Sequence, residues 1–150
     1  MKRERRWILT SCIAILATTA ALKLATLAIA GRVLGAPEPV LGLPFEWFLL
    51  LSAALELAVC AFLAGRRVPV QLKGLVLGLL GAEFLAYHAM LWLLRYEGPC
   101  HCLGSLWGWL NVRDAWVSET SILIACYLCL AGFLLACFSR DEARLSPKHG

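Results

Sequence analysis

Four apolar stretches, residues 7–30, 45–65, 70–94 and 115–138, occupy most of this 150-residue chain. Each is close to the ~20 residues that an α-helix needs to cross about 30 Å of hydrocarbon. In lipid a segment has to satisfy its own backbone hydrogen bonds, and a helix does so. The pattern therefore predicts an all-α fold, an integral membrane four-helix bundle, with residues 1–150 forming one transmembrane domain. The intervening segments, none longer than about 20 residues, are too short for a separate soluble unit. At 61% hydrophobic and 16% charged residues, the chain carries more apolar surface than one small water-soluble core can bury.

The opening "MKRERR", followed by an apolar run and "AIAG" at 28–31, has the outline of a cleavable signal peptide. The run is longer than the ~7–15 residues of a signal core, and Lys23 lies inside it, so a retained first helix is expected. Orientation follows from lysine and arginine. Lys2, Arg3, Arg5 and Arg6 precede helix 1, Arg66, Arg67 and Lys73 surround the turn between helices 2 and 3, and Arg140, Arg144 and Lys148 follow helix 4. Those ten face three on the opposite side, Arg32, Arg95 and Arg113. Both termini are expected in the cytoplasm, with the protein multi-pass in the inner or plasma membrane. The net charge of +4 then reflects topology and contact with anionic membrane lipids, and gives no reason to invoke nucleic acid.

That orientation puts the segment "GPCHCLG", residues 98–104, outside the cytoplasm, where disulfides form and persist. The other five cysteines, Cys12, Cys60, Cys126, Cys129 and Cys137, fall in the apolar stretches and read as small packing residues. Cys126 and Cys129 form a C-x-x-C, but near mid-bilayer, where a thiolate is costly.

Cys100 and Cys102 are separated by one residue. Two extended steps span about the upper end of the 4.4–6.8 Å that a disulfide tolerates between Cα atoms, so the loop has to bend to close the bond. A strained, exposed disulfide exchanges readily and suits a catalytic or relay pair. Pro99 stiffens the approach, Gly98 and Gly104 free the backbone on either side, and a protonated His101 would favour thiolate. Two other readings fit the same residues: a static staple or unpaired turn, and a soft-metal site for Cu(I) or Zn(II) built on two thiolates and an imidazole. No further ligand is evident nearby in sequence, and no metal is assigned.

Lys23, Glu56, Glu83 and His88 lie within the helices and are expected to form a buried polar network facing the bundle interior, since ionisable groups are costly in lipid. Counted from the ends nearest the cysteine segment, Lys23 and His88 lie ~10 Å deep and Glu56 and Glu83 ~16–18 Å. The lysine stem can reach down about one turn, which predicts an ion pair between Lys23 and Glu56, with Glu83 and His88 a turn and a half apart on helix 3. Such a pair can fix helix register without any catalytic role, or take part directly in proton or quinone chemistry. Trp107, Trp109 and Trp116 follow the cysteine pair and, with Trp7 and Trp47, read as interface anchors.

The combination of "LKLATLAI" (22–29), "ALELAVCAFLAG" with Glu56 (54–65), "FLAYHAMLWLL" (84–94) and "PCHCLG" (99–104) resembles the methylamine utilisation protein MauE family, grouped with DoxX-like redox-associated membrane proteins. The specific element is P-C-x-C-x-G directly after helix 3. His101 stands where the family usually has glycine, and Leu103 where it has phenylalanine. The resemblance implies a membrane thiol-disulfide oxidoreductase that supports disulfide formation, or transfer of reducing equivalents, outside the cytoplasm. Cys100 and Cys102 would then be the redox pair. From the residues themselves, a protonated His101 would tune that pair, and recharging is expected through a thioredoxin-like partner or a membrane quinone, with a disulfide-rich extracytoplasmic protein as client. The alternative is a non-enzymatic assembly or copper- or zinc-handling factor.

Overall fold

A computed structural model describes residues 2–29, 37–96 and 114–145. These form four helices, α1 (Lys2–Ile29), α2 (Phe45–Ala64), α3 (Val70–Leu93) and α4 (Asp114–Leu145), and no strand among the described residues. Each contains a stretch long and apolar enough to cross a membrane. Against the expected spans, α2 and α3 differ by one residue. α1 begins earlier, at Lys2, and α4 continues to Leu145, because the charged flanks prolong the helices beyond their apolar parts.

Local chemistry sets several of the ends. Pro44 and Pro69 stand just before α2 and α3, where a missing N–H costs nothing. Gly65 ends α2, and Lys73, from the first turns of α3, donates to the Leu63 carbonyl (2.6 Å) at that C-terminus, where the helix dipole favours a cation. The end of α3 is a Schellman motif: Tyr96 N–H bonds Leu91 O (3.1 Å) and Arg95 N–H bonds Trp92 O (3.0 Å). Arg95 takes the left-handed position with φ 48°, which glycine usually fills. α3 therefore stops firmly just before the cysteine segment.

The helices associate as two close pairs, α1 along α2 and α3 along α4, and the pairs meet each other more sparingly. The α3–α4 contact rests on small residues. A Cβ at Gly132 would stand 2.5 Å from Gly78 N and 2.6 Å from Gly74 O, and one at Gly74 would stand 2.7 Å from Gly132 O. Backbones this close make the dense van der Waals contact that holds helices together in lipid, where no hydrophobic force separates helix from solvent. Cys129 belongs to this seam and donates weakly to Gly78 O (3.8 Å), a packing role.

The two halves of the bundle differ in kind. Around Cys12, Leu16, Val59, Leu63, Leu77 and Leu135, near the α2–α3 turn, all four helices contribute to a closed apolar core. Toward the opposite end, where α1 and α3 finish, the interior holds the polar groups and cavities instead.

Candidate functional site

The buried stripe of α1 runs Cys12, Leu16, Thr19, Lys23, Thr26, and that of α2 runs Leu49, Ala53, Glu56, Val59, Leu63. Each advances by three or four residues, the spacing of one helix face. Lys23 and Glu56 thus point at each other because both occupy the core register of adjacent helices. They form a salt bridge, and their side chains are 3% and 1% exposed.

One turn of helix supplies the rest of this cluster. Thr19 lies one turn from Lys23 and Ser52 one turn from Glu56, so in the antiparallel pair Lys23 meets Ser52 and Thr19 meets Glu56. The Lys23 ammonium donates to Ser52 Oγ (2.7 Å) as well as to Glu56 Oε1, and lies 5.3 Å from the centre of the Phe84 ring. The Thr19 hydroxyl is 3.1 Å from Glu56 Oε2 and 3.0 Å from Leu16 O, and shares its one proton between them. Both carboxylate oxygens and the ammonium are therefore partnered, which is what makes a charge pair tolerable inside a membrane.

Glu83 corrects the expected network. Its side chain is exposed and has no partner among the described residues. The inward face of α3 follows Lys73, Leu77, Leu80, Gly81 and Leu91, and Glu83 falls off it. Glu83 and His88 are five residues apart, ~140° around the helix, and so cannot face one another. His88 is half-buried, with Nδ1 2.8 Å from the Phe84 carbonyl and its ring edge-on to Tyr87 at 6.0 Å.

A cavity of about 180 Å³ lies against Lys23 and Ser52, walled by Phe48, Phe84 and Tyr87, with Glu83 at its rim. Leu41, Leu51 and Leu55, all exposed, border it, so it opens sideways from the bundle. A second cavity of about 30 Å³ lies on the other side of the ion pair, toward His88 and Ser121.

The turn before α2 closes over the 180 Å³ cavity. Glu38 is 1% exposed. Its carboxylate accepts from Val40 N–H (3.0 Å), Leu41 N–H (2.5 Å) and the Tyr87 hydroxyl (2.8 Å), and Tyr87 stacks on Phe48 at 5.2 Å. Gly42, at φ 68°, completes the turn. Glu38, Tyr87, Ser52 and Thr19 were not singled out by sequence reasoning. The one-turn spacing of Thr19 from Lys23 and of Ser52 from Glu56 was an available signal. Glu38 had none, since a carboxylate in a short loop ordinarily stays in water.

Cys100, His101 and Cys102 lie outside the described residues, as do Trp107 and Trp109. Of the remaining cysteines, Cys12 is buried, Cys60 and Cys129 are half-buried, and Cys126 and Cys137 are exposed. Cys60 donates weakly to Ile13 O (3.7 Å) across α1 and α2. No metal-binding cluster of His, Cys, Asp and Glu occurs among the described residues. No family model, curated protein or solved structure matches this chain.

Proposed function

We propose that this chain is a thiol-disulfide exchange protein of the inner or plasma membrane, with both termini in the cytoplasm and Cys100 and Cys102 outside, acting on a thioredoxin-like or disulfide-rich extracytoplasmic protein. The observation that carries the reading is where the cysteines fall. Five of the seven lie within the four helices, and the two that do not form the C-x-C just beyond the end of α3. The resemblance to the MauE family supports the same reading. The polar, cavity-bearing half of the bundle adjoins that end, and the ion pair of Lys23 and Glu56 fixes the register of α1 against α2 beneath it.

In this mechanism a thiolate of the pair attacks a partner disulfide, or is formed as a partner thiolate attacks the pair's own disulfide. A mixed disulfide joins the two proteins, and the second cysteine resolves it. His101, between them, raises the thiolate fraction when protonated. Removing the resolving cysteine should trap the intermediate. One of Cys100→Ser and Cys102→Ser, but not both, should accumulate a reductant-sensitive adduct with an extracytoplasmic protein, and the double variant should show none. Two single variants that form no adduct and retain full biological activity would overturn the reading.

A further inference from the structure

We propose that the 180 Å³ cavity between α2 and α3 binds the ring of a membrane-dissolved quinone, with the ring oxygen taken by Ser52 and Lys23. This rests on the redox reading above and names the molecule that would exchange electrons with the cysteine pair.

Size is the first constraint. A cavity of about 150 Å³ lined by leucine, isoleucine and phenylalanine accommodates benzene, so this one takes a single substituted ring and not a phospholipid headgroup. Its walls are suited to a flat ring, since Phe48, Phe84 and Tyr87 border it and aromatic faces stack. Its mouth passes the exposed Leu51 and Leu55, so a long apolar tail would run out along α2 into lipid.

Polarity is the second constraint. Ser52 accepts from Lys23, but the Ser52 hydroxyl proton has no acceptor among the described residues. A half-buried donor left in this state favours a ligand that brings an acceptor oxygen. The charges select a neutral one: Lys23 is already balanced by Glu56, so the site offers an anion such as a fatty acid no unbalanced cation. A neutral ring carrying carbonyl oxygens and an apolar tail describes a quinone.

The chemistry balances. Oxidation of the Cys100 and Cys102 dithiol breaks two S–H bonds and forms one S–S bond, releasing two electrons and two protons. The quinone takes both electrons and both protons at its two carbonyl oxygens and leaves as a quinol. Donors placed at a ring oxygen stabilise the negative charge that develops there as electrons arrive.

The test is photolabelling of the purified full-length protein in phosphatidylcholine nanodiscs with an azidobenzoquinone bearing a decyl tail. Label is expected on peptides covering residues 41–55 and 83–87, competed by decylbenzoquinone and not by monoolein, which has a carbonyl and a tail but no ring. Leu55→Trp, which fills the cavity, should weaken binding at least tenfold, and Ser52→Ala, which removes one hydrogen bond, about fivefold. Ser52→Ala adds no volume and decides the matter alone if Leu55→Trp fails to accumulate. Labelling that neither variant alters would overturn the proposal, as would competition by monoolein as strong as by the quinone. The two readings separate in the Cys100→Ser/Cys102→Ser variant, which should label normally. Disulfide exchange without quinone labelling sinks this inference alone, and labelling in a protein whose wild-type form exchanges no disulfides sinks the redox reading alone.

Discussion

Replacing Gly132 by alanine should loosen α3 from α4, whereas the same change at Gly78 should not, although Gly78 belongs to the Gly74–Gly78 pair that a G-x-x-x-G pattern marks as a helix contact. At Gly132 the new methyl would stand 2.5 Å from Gly78 N and 2.6 Å from Gly74 O. Both obstacles are backbone and cannot rotate away. Restoring ordinary contact means parting the helices by roughly 0.9 Å, a gap that forfeits up to about half of each dispersion contact across it. Overpacking costs ~1–3 kcal/mol, and with backbone on the far side the upper part of that range applies. Alanine returns at most ~1 kcal/mol of helix propensity. The net loss is about 2 kcal/mol. At Gly78 a Cβ meets nothing within 4 Å, so alanine there should be neutral or stabilise by up to ~1 kcal/mol. Thermal unfolding in detergent, followed by a thiol-reactive dye that reports the exposure of Cys12, Cys60 and Cys129, should place Gly132→Ala about 4–8 °C below wild type and Gly78→Ala at or above it. Equal losses at the two glycines, or none at Gly132, would refute the geometry of this seam.

The ion pair gives a second test: Lys23→Met and Glu56→Gln should each cost ~3–5 kcal/mol by leaving one buried charge uncompensated, and the double variant should recover part of it, read as protein level and unfolding temperature. If both single variants accumulate normally but lose activity, the pair works in the chemistry and not in helix register. Lys73→Met removes the cation on the Leu63 carbonyl and should lower stability by about 1 kcal/mol, an effect that Lys73→Arg should partly spare. Arg95→Gly should raise stability by up to ~1 kcal/mol, because glycine occupies the left-handed position without strain; a loss would show that the arginine side chain has a contact outweighing it. A membrane-impermeant thiol reagent applied to intact cells after mild reduction should modify Cys100 and Cys102 and spare the other five cysteines, and labelling of the pair that requires permeabilisation would reverse the orientation.

Four helices could be read from the sequence because lipid leaves a long apolar segment almost no other way to satisfy its backbone. The boundaries of α2 and α3 were legible from where the apolar runs stop, and the structure shows Pro44, Gly65 and Pro69, residues that act locally, standing at those ends. The meeting of Lys23 and Glu56 was also readable, since the depth of each along its helix and the reach of a lysine are properties of single segments. Rotation about the helix axis is where local reasoning stopped. Depth alone put Glu83 and His88 together in the bundle interior, a turn and a half apart, and the ~140° between them sends them to different faces, a difference the buried stripe of α3 makes plain once its neighbours are known. Which glycine carries the α3–α4 contact is likewise a matter of how two helices cross: Gly74 and Gly132 touch backbone while Gly78 faces open space. The cavity, the inward turn of Glu38 onto Tyr87 and the division of the bundle into a closed half and a polar half arise from segments distant in sequence. Helix formation is decided within a segment by its solvent and its caps, but helix rotation, crossing and the voids between helices are set by all the partners at once, and only the packed structure contains them.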